Sequence, residues 1–324
     1  MIDTPARLPA EIGRIGFLTL PNYSMIAMSS AIEACRMANR VTSSDAYSWQ
    51  VLTPDGEPAQ ASNGLSLGPT VRLADAAPID LLLICGGVDI RRATSRRLFP
   101  ALQRHIRRGG ALGALCTGSF VLAEAGMLSG YACAIHWEDL AAIREEFPDI
   151  AFRDELFVID RDRFTSTGGT APLDMMLALI AARLGPRAAD AVARQFLIKP
   201  RQGGERQHLP RTAARHPRLA HAVALLEANA QNPSDDPLSV ADAAALAGLS
   251  SRQLERLFKQ HLNMTPAAYA ASVRLERAQL LLRQTAMPIT EIGVACGFAS
   301  GASFSNAYRL RYGHSPRHER VSAP

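Results

Sequence analysis

The stretch "ITEIGVACGFASGASFSNAYRLRYGHSP" (289–316) decides how the C-terminal third of the chain folds, because a second copy of its pattern lies about fifty residues upstream. Setting "LERLFKQHLNMTP" (254–266) against "FSNAYRLRYGHSP" (304–316) pairs Leu254 with Phe304, Phe258 with Tyr308, Lys259 with Arg309, Asn263 with Gly313 and Pro266 with Pro316. "VADAAALAGL" (240–249) likewise matches "ITEIGVACGF" (289–298). Each copy reads as a helix, a glycine turn and a second helix. Val240, Ala243, Ala244 and Ala247 share one helical face, Gly248 stands where a left-handed residue ends a helix, and Leu249 packs back. Ser250 with Gln253 has the spacing of a capping box. In the second copy Ile289, Ile292, Gly293 and Cys296 supply the apolar face. Ala244 and Gly293 are small enough for the paired helices to cross closely. Two such units, joined by the helical "PAAYAASVRLERAQLLLRQ" (266–284), predict a pair of helix-turn-helix motifs, each offering its second helix to a major groove.

Charge distribution agrees. Residues 1–210 carry 22 Lys/Arg against 22 Asp/Glu, whereas residues 211–324 carry 13 against 8, so the net +5 of the chain lies in its last third. A polyanionic partner is expected there. On the first predicted recognition helix Ser251, Arg252, Glu255 and Arg256 face outward, and on the second Gly301, Ser303 and Asn306 do so. Arg252 and Arg256 have the donors for bidentate contacts to guanine, and Asn306 suits adenine. Lys259, Arg274, Arg309, Arg311 and Arg317 suit phosphates, which position a protein without specifying sequence. The alternative for all of these is a solvated polar face. Gly301 and Ala302 leave the start of the second helix little side chain with which to read bases.

The first 200 residues have a different rhythm. "RIGFLTL" (14–20), "WQVLTP" (49–54), "IDLLLICGG" (79–87) and "GALGALC" (110–116) are short apolar runs of the buried parallel type, alternating with helical stretches at 25–40 and 95–109. This predicts a doubly wound α/β domain over 12–200, with its ligand site at the C-terminal ends of the strands. "KPRQGGERQHLPRTAARHP" (199–217), rich in Pro, Gly and Arg, predicts a linker over 201–217 ahead of an all-α domain over 218–320. With 324 residues there is chain enough for two cores, and 48% hydrophobic with 20% charged residues is ordinary globular composition. No stretch reads as a signal peptide or a membrane span. Five scattered cysteines without a CxxC pair argue against a disulfide framework and a thiolate zinc site, and fit a reducing cytoplasm. The pattern calls for no metal and no cofactor.

Cys116, between a strand and a helix, has the sequence setting of a nucleophile elbow. A thiol there would need a base, and His136 in "CAIHWED" is the candidate, with Glu138 as an orienting carboxylate. The other reading makes Cys116 a small, helix-capping residue inherited with the fold and His136 a pocket-lining or hydrogen-bonded core group. Trp137 is then a core ring or a wall for a cationic ligand, and Asp174 a helix-terminus charge.

The C-terminal motifs resemble the AraC/XylS-type DNA-binding domain over roughly 218–320. "ICGG", "ALCTGSFVLAEAGMLSG", "AIHW" and "TSTGGTAPLDMMLALI" resemble the PfpI-like branch of the class I glutamine amidotransferase superfamily over about 12–200, a flavodoxin-like fold. Two departures matter: Thr117 stands where peptidase-like members have His, and Tyr23-Ser24 where others have Glu. The whole architecture resembles the GlxA-like transcriptional regulators, particularly those responding to arginine or to glycine betaine, carnitine and related amines. That resemblance implies promoter DNA and RNA polymerase as partners, a homodimer, and a small nitrogen-containing effector near Ser24, Gly86, Gly87, Cys116, Thr117, His136, Trp137 and Glu138. It implies an activator whose cysteine is vestigial. A cysteine hydrolase or amidase tethered to DNA is the alternative.

Overall fold

A computed structural model describes residues 11–205, 207, 216–231 and 238–322. The chain forms two compact units, Met1–Gln207 and His208–Pro324. Residues 206 and 208–215 of the expected linker lie outside the described residues, as do residues 1–10.

The first unit runs β1 (Arg14–Thr19), α1 (Met25–Thr42), β2 (Ser48–Thr53), β3 (Val71–Arg72), β4 (Leu81–Cys85), α2 (Ile90–Ala93), α3 (Phe99–Arg107), β5 (Ala111–Leu115), α4 (Ser119–Glu124), β6 (Ala132–Ala134), α5 (Trp137–Glu146), β7 (Ala151–Arg153), β8 (Phe157–Asp160), β9 (Arg163–Ser166), α6 (Ala171–Leu184) and α7 (Pro186–Gln195). Its seven-stranded sheet has the order β3-β2-β1-β4-β5-β9-β8 and is parallel except for the β8–β9 pair, while β6 and β7 form a separate parallel pair. Alternation along β4 and β5 sends side chains to two cores. Leu81, Leu83, Cys85, Ala111 and Leu115 pack with α1, α6 and α7, whereas Leu82, Ile84, Leu112 and Ala114 pack with α3, α4 and α5. Every residue of β4 and β5 is buried, as strands covered on both faces must be.

The helix expected over 95–109 begins as a 3-10 turn, Arg96–Leu98, and becomes α-helical at Phe99. Pro100 explains the change, since its fixed φ and missing N–H suit the first helical turn. The antiparallel β8–β9 hairpin lacks a sequence signal of the parallel type. Its strand β9 is buried throughout and β8 is buried at Phe157 and Val158, and its turn is made by Arg161 at φ +54 in place of a glycine.

The second unit is helical throughout its described residues: α8 (Pro217–Gln231), α9 (Val240–Leu246), α10 (Ser251–Leu262), α11 (Pro266–Gln284), α12 (Ile289–Ala295), α13 (Gly301–Tyr312) and α14 (Pro316–Ser322). Gly248 and Gly297 have φ +69 and +74, as their turns require, and the paired helix ends at Asn263 and Gly313 are both left-handed. Ser250 and Ser300 close capping boxes. The ring of Phe304 lies over Gly293 at 3.2 Å from where a Cβ would stand, so a side chain there would press the ring away and the bare Gly293 suits the close crossing of the second motif's helices.

Two buried charges organise this unit. Arg277, in the middle of α11, donates to the carbonyls of Ala230 (3.1 Å) and Ala295 (2.7 Å), tying the C-terminal ends of α8 and α12 together. Glu319 accepts hydrogen bonds from Tyr308, His314, Arg283 and Gln279. Burial pushes its carboxyl up, but these four donors outweigh that and hold it at about 2. A lowered carboxylate stabilises the fold above its ordinary value of 4.5, and that stability disappears as pH falls towards 2. E319Q is expected to destabilise the unit by about 3 kcal/mol at pH 7 and to flatten its acid unfolding between those limits. Urea titrations of both proteins at several pH values measure it.

Candidate functional site

The strand β5 ends at Leu115, and Cys116 takes φ +60 before α4 begins. This left-handed corner lets Gly118 N donate to Leu115 O at 3.1 Å and leaves Cys116 O to accept from His136 N at 3.1 Å. Elbow and α5 are therefore joined through backbone. Ser119 Oγ donates to Ala134 O at 2.6 Å and ties α4 to the end of β6.

Beneath the elbow the loops after β1, β4 and β5 meet with almost no side chain between them. A Cβ on Gly87 would stand 2.0 Å from Asn22 O, and one on Gly86 2.4 Å from Gly118 N. Ser24 N donates to Gly86 O (2.9 Å), and Thr117 Oγ1 donates to Gly87 O (2.7 Å). Ser24, Gly86, Gly87 and Thr117 are thus brought together, and these contacts make them the frame of the elbow. The hydroxyl of Ser24 makes no capping bond to α1.

Cys116 and His136 meet beside Gly168. A Cβ there would lie 3.1 Å from Cys116 Sγ and 2.7 Å from His136 Cδ2, so the bare glycine leaves room next to both. Around them the N-terminus of α5 places Trp137, Glu138 and Asp139. Trp137 is 40% exposed, its ring 5.7 Å from that of His136. Glu138 Oε2 stands 3.9 Å from His136 Nδ1, too far for a hydrogen bond, so the orienting role expected for Glu138 is not made by direct contact. Asp139 is largely enclosed. Burial, countered by Arg91 and reinforced by Glu138, lifts its carboxyl to about 6.

These surroundings make a poor nucleophile. Burial pushes the Cys116 thiol up to about 12, with the backbone bond at Thr117 opposing weakly and the carboxylates of Asp139 and Glu138 adding to the rise. His136 is moved the other way, lowered by burial against the pull of Glu138. A thiolate–imidazolium pair is disfavoured from both sides.

Asp139 and Gly168 escape a reading of the sequence. An acidic doublet at a helix start is satisfied by the helix dipole, and nothing in "STGGT" marks which glycine faces a thiol. Asp174 is in the first turn of α6, as its sequence position suggests, and is also buried against Arg201, whose Nε and Nη2 donate to it at 2.8 and 2.6 Å.

In the second unit, Leu254, Leu257 and Phe258 turn inward on α10, leaving Ser251, Arg252, Glu255, Arg256 and Lys259 exposed. Arg252, Arg256 and Lys259 have no intramolecular polar partner among the described residues. On α13 Asn306 and Arg309 are exposed and Gly301 half-buried. The hydroxyl of Ser303 is engaged, donating to Ser300 O at 2.7 Å within the capping box. Arg274 donates to Gly297 O (3.2 Å) and Arg311 to Glu276 (3.3 Å), so these two are partly held within the unit, while Arg317 is exposed.

The helix-turn-helix domain model matches residues 243–321, spanning both motifs, and the DJ-1/PfpI family model matches 25–182, spanning elbow, His136 and Gly168. The HTH-type transcriptional regulator GbdR of Pseudomonas aeruginosa is 43% identical over 314 residues, 96% of this chain and 84% of that one. The chain belongs to the AraC-family regulators that carry a DJ-1/PfpI domain. The regulator GlxA of Rhizobium meliloti, 34% identical over 94% of this chain and 95% of its own, shares both parts of that architecture. A solved AraC family transcriptional regulator from Pseudomonas putida is 29% identical with a TM-score of 0.52, covering 57% of this chain and 99% of that one. The protein is accordingly a DNA-binding transcriptional regulator with an AraC-type domain, and these relatives are named as regulators and not as enzymes. No helix among its described residues is long and apolar enough to cross a membrane.

In such a regulator the thiol is expected to be unreactive. Iodoacetamide at pH 7–8 should find no fast-labelling cysteine in the native protein, all five being buried. Rapid single-site labelling at Cys116, with an apparent pKa below 8, contradicts this.

Proposed function

We propose that residues 12–200 form a sensor for a small cationic nitrogen metabolite, of the arginine, glycine betaine or carnitine kind. Occupancy of that sensor changes how residues 218–320 engage promoter DNA, through the linker at 201–217. In this reading the protein is a cytoplasmic activator, acts as a homodimer and works with RNA polymerase. The carboxylates of Glu138 and Asp139 and the accessible Trp137 ring support this ligand class, with a thiol held neutral beside them.

One observation carries the coupling. The chain leaving α7 returns across the sensing unit, with Leu156 N donating to Glu205 O (2.9 Å) and Arg201 N to Asp174 (2.9 Å). Its end, Gln207, bridges Thr167 Oγ1 (2.6 Å) and Ile135 O (2.8 Å). Thr167 precedes Gly168 and Ile135 precedes His136, so Gln207, within the linker, holds the two backbone segments that border Cys116. A ligand that shifts either one acts on the linker.

The hydrolase reading has one observation in its favour, the left-handed backbone at Cys116 that nucleophile elbows share. Thr117 in place of the adjacent His, and a thiol raised to about 12, weigh against it.

Thermal-shift screening with arginine, glycine betaine and carnitine is expected to find a stabilising ligand, by ~2.7 kcal/mol at about one hundred times its dissociation constant. Its affinity should strengthen as pH rises through about 6, because Asp139 becomes anionic over that interval. Q207A should keep the thermal shift and lose the ligand's effect on DNA affinity. Absence of any shift, or a ligand effect on DNA unchanged in Q207A, contradicts the respective part.

For DNA reading, Arg252 and Arg256 are the base-contacting candidates, with Ser251, Glu255 and Asn306 beside them and Lys259 and Arg309 on phosphates. Gly301 and Ser303 shape the start of α13. R256A is expected to weaken specific binding by about 1–3 kcal/mol and to relax preference at one base pair. Selection of binding sites from a random duplex pool, followed by anisotropy titration, measures both.

A further inference from the structure

The sensing unit is neutral overall, yet its charge is segregated. Between Asp89 and Glu124 there is no acidic residue, while seven arginines fall within 91–108. Two of the seven are neutralised by distant carboxylates, Arg91 by Glu146 at 2.6 Å and Arg96 by Glu124 at 3.2 Å. Arg92, Arg97, Arg104, Arg107 and Arg108 are exposed and have no carboxylate partner among the described residues.

The local fold collects four of them on one face. Backbone from Arg96 to Arg107 is continuously helical, a 3-10 turn leading into α3 with Leu98 and Phe99 both right-handed. Leu98 and Leu102, one turn apart, are buried in the core on that side of the sheet, and Phe99 and Ile106 pack against it. At 100° per residue the opposite side of this helix carries Arg97, Arg104, Arg107 and Arg108. Arg107 donates to the neutral Gln103 at 3.4 Å. From Arg97 to Arg108 the face is about 16 Å long, and duplex DNA presents a phosphate about every 3.4 Å along one strand. A guanidinium is the side chain best matched to phosphate in geometry and hydration. Four of them fixed on a rigid helix, in a protein that already holds DNA with another unit, are complementary to one polyanion above others.

We propose that this arginine face is a second, sequence-independent DNA contact: it binds backbone phosphates of the duplex whose bases are read by the helix-turn-helix unit. The contact adds affinity and salt sensitivity without adding base preference. It rests on DNA binding by the chain and not on the sensor reading.

The test uses the full chain and the variant R97Q/R104Q/R107Q/R108Q, titrated with a 40-base-pair duplex at several salt concentrations. Freeing one phosphate from its cation lowers the slope of log K against log salt by about 0.9, so the variant is expected to show a slope reduced by roughly 2 to 4 with the same preferred site. The variant R97K/R104K/R107K/R108K, which keeps the charge, should retain the wild-type slope. If the fourfold glutamine variant does not fold, R104Q/R108Q is read instead and should show about half the effect. A wild-type slope in the glutamine variant overturns the proposal, as does a loss of site preference in place of slope. So does unchanged DNA binding alongside loss of binding to vesicles of anionic phospholipid. Failure of the wild-type chain to bind any duplex would instead contradict its assignment as a DNA-binding regulator.

Discussion

The α/β unit depends on a close approach of backbone to backbone at the C-terminal edge of its sheet. Three loops converge there, and the distance between Gly87 and Asn22 O leaves no volume for even one methyl group. With side chains excluded, the loops are held by main-chain bonds and by the single hydroxyl of Thr117. That makes the junction stiff, and stiffness is what sustains the left-handed backbone of Cys116, a conformation costing on the order of 1–3 kcal/mol that persists only where its surroundings determine it. The elbow then fixes α5 through the bond from His136 N to Cys116 O. His136 and the start of α5 are placed beside the thiol by this chain of constraints.

A strained elbow is compatible with catalysis but does not create it. Activating a thiol requires the anion to be better solvated by the protein than the neutral form, by a nearby cation or several amide donors. Here one backbone bond at Thr117 acts in that direction, against desolvation and two carboxylates. The two carboxylates that oppose a thiolate favour positive charge, whereas desolvation, the larger effect, opposes a charge of either sign and also lowers His136. Arg91 moderates that field at Asp139 while itself pairing with Glu146, so the site is acidic without being unbalanced.

Much of this is legible in the sequence, for identifiable reasons. Short apolar runs buried on both sides announce a parallel sheet, and β4 and β5 match them within a residue or two. The internal repeat carries more information than either copy alone: the equivalence of Asn263 and Gly313 is explained by their common left-handed conformation, and Ser250 and Ser300 by their common cap. Long-range partners are not legible. Asp139, Gly168 and Gln207 acquire their roles from neighbours distant in the chain, and no local pattern encodes that. Ser303 shows the converse limit, since an outward position on a helix does not reveal that its hydroxyl is already bonded to Ser300.

Net charge taken by domain is a similarly coarse measure. A balance of zero over the first 210 residues suggests a unit indifferent to polyanions, yet that zero is the sum of an acid-free segment with seven arginines and an acidic remainder. At an ionic strength where fields decay over about 8–10 Å, a phosphate near α3 experiences Arg97, Arg104, Arg107 and Arg108, while Glu124 and Glu146 are paired with Arg96 and Arg91. What decides whether a surface attracts DNA is therefore the charge within one screening length of it. By that measure the α/β unit and the helix-turn-helix unit both present exposed arginines on a helix, on α3 and on α10.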